Sequence, residues 1–72
     1  MIQKKKLNNI KDVLNAKGIK ASFIAKQLQC NPSSVYNWLH QRSQPSLNTL
    51  SELSQLIGVP MSELIVNNKI EN

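Results

Sequence analysis

Apolar residues recur at spacings of three and four along almost the whole chain, and breakers cut that periodicity into short pieces. Leu7, Ile10, Val13 and Leu14 predict a first helix, stopped by Gly18, since glycine takes the left-handed conformation past a helix end most easily. Ile24, Ala25 and Leu28 share one face of a second helix. A third begins at Asn31–Pro32: Asn is a strong N-cap, and Pro is tolerated at the first helical position, where its missing N–H would be unpaired anyway. Val35, Trp38 and Leu39 are its inward residues. The run HQRSQPS, residues 40–46, reads as a loop whose last residue, Ser46, caps a fourth helix. That helix carries Leu47, Leu50, Leu53, Leu56 and Ile57 inward and stops at Gly58. Pro60 then opens a last short helix with Met61, Leu64 and Ile65. No strand-like alternation and no internal repeat interrupt the pattern. The prediction is an all-α, compact five-helix domain over residues 7–66, preceded by a basic arm at 1–6 and followed by a frayed tail at 67–72.

A chain of 72 residues has room for one small core, so this domain is the whole prediction. Charge adds more. Lys and Arg number nine against four acidic residues, and the net +5 is unevenly placed. Residues 1–42 carry a net +7, whereas Lys69 is outweighed by Glu52, Glu63 and Glu71 in the remainder. A polyanion would meet the N-terminal half and the loop that follows it, nucleic acid before membrane. The alternative from charge alone is a solvated basic face with no partner. Lone Cys30 and lone His40 leave no disulfide, metal set or nucleophile–base pair, so no enzyme, cofactor or metal is expected, and the single thiol fits a reducing, cytoplasmic setting. The segment MIQKKKLNNIKDVL has the charges of a secretory signal but lacks its apolar run, and nowhere do 18 apolar residues follow one another.

The second and third helices are joined by a turn centred on Gln29, Cys30 and Asn31. Two short amphipathic helices joined so tightly cross steeply, and in a helix-turn-helix that geometry pushes the second helix outward, toward a DNA major groove. On a wheel at 100° per residue, Val35, Trp38 and Leu39 face inward while Ser33, Tyr36, Asn37 and His40 form the outer row. That row is uncharged. An amide matches an adenine edge, and a hydroxyl can match several bases. An ordinary solvated face is the competing reading.

The stretch from Lys20 to Ile65 resembles the Cro and phage-repressor type of helix-turn-helix, the xenobiotic-response-element family. The matching residues are Ile24-Ala25, Leu28, Cys30 in the turn, Asn31 as cap and Val35-Tyr36-Asn37-Trp38. Pro45-Ser46-Leu47-Asn48-Thr49-Leu50 and Gly58-Val59-Pro60-Met61-Ser62-Glu63-Leu64-Ile65 complete them. The resemblance implies a lambda-repressor-like fold and a transcriptional regulator, a repressor, that inserts helix 32–39 into the major groove of double-stranded DNA. The alternative is an RNA-binding or protein-interaction module on the same fold. Three departures stand out: Ala21 where the family often has Gln, and Gln29 and Gln41 where it often has Gly. Gln at position 29 predicts a slightly different turn.

By this resemblance, base contacts fall to Ser33, Asn37 and Tyr36, with Pro32 against a thymine methyl. Phosphate contacts fall to Lys20, Ser22, Lys26, His40, Arg42 and Gln44, helped by the N–H groups opening the second helix. Lys4–Lys6 read either as an arm along the groove or as a solubilising tail. Trp38 reads as a core anchor and Cys30 as a small buried hydrophobe; Phe23 either covers the joint of the first two helices or sits half exposed. One such domain covers only about 600–1,000 Å² of DNA, so a weak homodimer on two half-sites is expected. Its surface would come from Met61, Leu64, Ile65 and Val66, with Val59 and Ile70 alongside. The opposing reading is that Leu64 and Ile65 close the core. No small-molecule ligand is indicated.

Overall fold

The computed structural model describes residues 6–66. Four α-helices follow in order: α1 (Ile10–Lys17), α2 (Ala21–Leu28), α3 (Pro32–Leu39) and α4 (Leu47–Ile57). The expected fifth helix is a single 3-10 turn, Met61–Glu63. Gly58 ends α4 in the left-handed region and Pro60 stands in extended backbone, which leaves room for one turn before Leu64 returns to the core. Among the described residues there is no strand, and no helix is long and apolar enough to cross a membrane.

The caps follow the sequence closely. The Asn31 side chain accepts from the Ser33 N–H at 2.9 Å, with Pro32 in the first turn of α3. Ser46 Oγ accepts from the Thr49 N–H at 3.2 Å and starts α4. Each answers a backbone donor that a helix start leaves unpaired. At the C-terminal ends, four residues take positive φ: Gly18 at 68°, Gln29 at 55°, Gln41 at 61° and Gly58 at 84°. Behind all four the chain closes with the same long bond: Ile19 N–H to Leu14 O, Cys30 N–H to Ala25 O, Arg42 N–H to Asn37 O and Val59 N–H to Ser54 O, at 2.9, 3.0, 2.9 and 3.1 Å. This is the Schellman closure, which uses up carbonyls at the helix end. Gln29 keeps the left-handed turn where a different one was expected. Glutamine there bears a steric cost of roughly 1 kcal/mol that glycine would not.

The core gathers Ile10, Leu14, Ile24, Ala25, Val35, Trp38, Leu50, Leu53, Ile57, Val59 and Leu64. Ile10, Ile24, Val35, Leu53 and Leu64 are fully enclosed. Trp38 is the expected anchor, Cys30 packs half-buried against the cluster, and Phe23 is half exposed. Three expectations fail. Leu7 is not helical: α1 begins at Ile10, and Leu7 belongs to an extended segment that pairs with the C-terminal end and leaves it 42% exposed. Leu47 is 73% exposed, because the first residue of α4 lies a full turn beyond the core. Leu64, and Val59 with it, is buried among the core side chains and cannot lie on a subunit surface.

The chain's two described ends meet. Asn8 and Ile65 form an isolated antiparallel bridge, with Asn9 N–H donating to Leu64 O at 2.9 Å and Val66 N–H to Leu7 O at 3.1 Å. Residues 1–5 and the whole of the predicted tail at 67–72, Ile70 included, lie outside the described residues.

Candidate nucleic-acid interface

The site is built on the packing of α2 against α3. Val35 and Trp38 fix the inner side of α3 in the core, so its opposite side must face out. Pro32, Ser33 and Tyr36 are exposed there, and Asn37 and His40 are partly so. The Ser33 hydroxyl donates to Asn31 Oδ1 at 2.9 Å, which leaves its oxygen free to accept. The Asn37 carbonyl accepts from the Arg42 N–H, as a helix end requires, and the residue is partly exposed.

Tyr36 does not stand alone. Its ring lies 4.2 Å from the His40 ring, centroid to centroid, tilted by 49°. The Arg42 guanidinium sits 5.9 Å from the Tyr36 centroid, within cation–π range. Three residues expected to act separately therefore form one cluster that runs from α3 into the following loop. A ring held on two sides has less freedom to swing out and stack on a flipped base than an isolated tyrosine.

At the other end, Lys20, Ser22 and Lys26 are exposed on or beside α2. They line an open groove of about 540 Å³ together with Gly18, Ile19 and Phe23. No side chain caps α2, so the N–H groups of its first turn are available to an anion. Lys6 is engaged elsewhere. Its ammonium donates to the Asp12 carboxylate across exposed surface, and that hydrogen bond and charge hold the Asp12 carboxyl below its ordinary value.

The sequence pattern shows neither the role of Asn8 nor that of Gln41. Asn8 is 3% exposed, the one buried polar residue among those described. Its Oδ1 accepts from the Ile10 N–H at 3.0 Å, and its Nδ2 donates to Trp38 O at 3.0 Å and to Gln44 Oε1 at 2.7 Å. Gln41 faces it. Gln41 Oε1 accepts from Leu7 N–H at 3.0 Å and Asn8 N–H at 3.3 Å, and its Nε2 donates to Asn8 O at 3.0 Å. Gln44 Nε2 adds a 3.3 Å bond to Gln41 Oε1. The Gln44 amide is thus largely occupied within the protein, with one N–H left to donate. The only signal in the sequence was Asn8-Asn9 before an apolar run, an N-cap pattern.

The helix-turn-helix family model matches residues 10–64, from the start of α1 through the return of Leu64 to the core. The chain belongs to the helix-turn-helix family, of the xenobiotic-response-element type. A crystal structure described as a "putative DNA-binding protein" from Bacteroides fragilis is 33% identical. It superposes with a TM-score of 0.82 over 83% of this chain and 97% of its own. No curated protein matches the chain significantly. Within the family, Gln29 and Gln41 stand in the left-handed positions, and the backbone keeps its course without glycine at either.

Proposed function

We propose that this chain is a sequence-specific, double-stranded DNA-binding transcriptional regulator of the repressor type, acting in the cytoplasm. The observation that carries the reading is the outer side of α3. Ser33, Tyr36 and Asn37 are uncharged, polar and accessible, on a helix whose other side is locked into the core. Exposed basic residues flank it in sequence, Lys20 and Lys26 before and Arg42 after. α3 enters the major groove, Asn37 and Ser33 read base edges, Tyr36 offers an aromatic edge, and Pro32 meets a thymine methyl. Lys20, Ser22, Lys26, His40, Arg42 and the remaining N–H of Gln44 hold phosphates, with the open first turn of α2. The 33% identity to the Bacteroides fragilis protein supports the same partner.

The domain works as a weak homodimer strengthened on DNA, with half-sites about 34–36 Å apart. Met61, Ile65 and Val66 form its surface: Ile65 is 41% exposed and the other two are partly so. Sedimentation of the free protein and stoichiometry on a selected site test this; one protein on a single unrepeated half-site would refute it.

Selection from a random duplex pool, followed by Asn37→Ala, tests the function itself. Asn37→Ala is expected to weaken the selected duplex by about 1–3 kcal/mol and leave random duplex nearly unchanged. Equal losses on both would refute the assignment of base readout. Equal affinity for duplex, single-stranded DNA and RNA would replace the whole reading with a generic basic surface.

A further inference from the structure

We infer that Asn8 and Gln41 are positioning residues for DNA binding: their amide clasp holds the loop after α3 in the shape that presents Arg42 to a phosphate. The inference rests on the DNA-binding reading above. The loop leaves α3 through the left-handed Gln41 and reaches α4 only at Ser46. The clasp grips it at two points, Gln41 and Gln44, which bracket Arg42 and Ser43. Trp38 O, in the last turn of α3, accepts from the same Asn8 amide. One buried side chain therefore ties the end of the recognition helix, the far side of the loop and the N-terminal segment together. That segment is itself fixed on its other edge by the backbone bonds to Leu64 and Val66.

Arg42 is exposed and its guanidinium lies over the Tyr36 ring. Its position depends on where the clasped backbone carries its Cα. A loop already ordered before binding loses little freedom when it meets the duplex, and a loose one must be ordered at that moment. A clasp serving the core alone would have no need to reach Gln44, which is exposed and beyond the core.

Gln41→Gly and Gln41→Asn both suit a positive φ, and both remove the reach of the clasp. Affinity for a selected duplex is measured across a salt series at 10 °C, alongside circular dichroism and hydrogen exchange at the Leu7 and Asn8 amides. Either variant is expected to stay folded, exchange faster at those amides and bind about tenfold more weakly, the order of one charge-assisted phosphate bond. The salt slope is expected to fall by about one. The decisive comparison adds Arg42→Ala: because the clasp acts through Arg42, the double variant should bind no more weakly than Arg42→Ala alone. Full additivity, unchanged affinity in the single variants, or unfolding of both at 10 °C would overturn the inference and leave the DNA-binding reading intact. Absence of duplex binding by the unaltered protein would remove that reading, and this inference with it.

Discussion

Two glutamines in the same backbone conformation allow the clasp's contribution to stability to be separated from the cost of the backbone. Gln29 has φ 55° and Gln41 has φ 61°, each at the left-handed end of a helix. Replacing either with Gly relieves a steric cost of roughly 1 kcal/mol. About half of that is returned, because glycine is freer in the unfolded chain. Gln29 is exposed, so Gln29→Gly is expected to stabilise the fold by about 0.5 kcal/mol, or roughly 2–4 °C in a domain this size. Gln41→Gly has the same gain but loses the 3.0 Å bonds to Leu7 N–H and Asn8 O, at about 1 kcal/mol each. The expected net loss is about 1.5 kcal/mol, so the two variants should differ by roughly 2 kcal/mol and melt about 8–16 °C apart. Thermal and urea unfolding followed by circular dichroism measure both. Equal stability of the two variants would show that the clasp contributes nothing. A loss on Gln29→Gly would refute the argument from backbone strain.

Arg42→Ala is expected to weaken all duplexes about equally and reduce the salt slope by about one; an unchanged slope would mean that Arg42 does not meet the backbone. Leu53 is fully enclosed, so Leu53→Ala should cost about 2–5 kcal/mol, comparable to the whole stability of so small a domain, and abolish a cooperative melt at room temperature. The Asp12 carboxyl, held low by Lys6, contributes to the fold above the ordinary carboxylate value, and the contribution is lost as pH falls through the lowered one. A carbon-detected titration should find the Asp12 midpoint below 3.8 and see Lys6→Ala bring it back up; no movement would detach Asp12 from Lys6.

Local chemistry made the helices legible. Asn31 before Pro32, Ser46 before its helix, and Gly18 and Gly58 after theirs each act within a few residues, and each is found doing so. The outer row of α3 followed from the inner one, since Val35 and Trp38 leave Tyr36 and Asn37 nowhere else to go. What escaped the sequence depends on partners far along the chain. Leu7 fits the period of α1, but backbone bonds to residues 64–66 draw it into an extended segment instead. Asn8 is polar and sits beside an apolar run, so nothing local predicts burial; its partners are Trp38 and Gln44. Leu47 has the right spacing for the α4 stripe, but a stripe's first residue is covered only if something packs over the helix start. Leu64 reads as a surface residue as readily as a core one, because a short apolar segment does not reveal which of its members face inward.

The bridge between Asn8 and Ile65 brings the two ends of the folded unit side by side, with the chain entering and leaving in opposite directions. Such a unit behaves as a cassette. Spliced into a surface turn of a host protein, it would span a gap no wider than a neighbouring strand and demand little from the host's own turn geometry. For the same reason, whatever precedes residue 7 and whatever follows residue 66 start from one spot. Two fused partners, one on each side, would be held as neighbours by the domain itself.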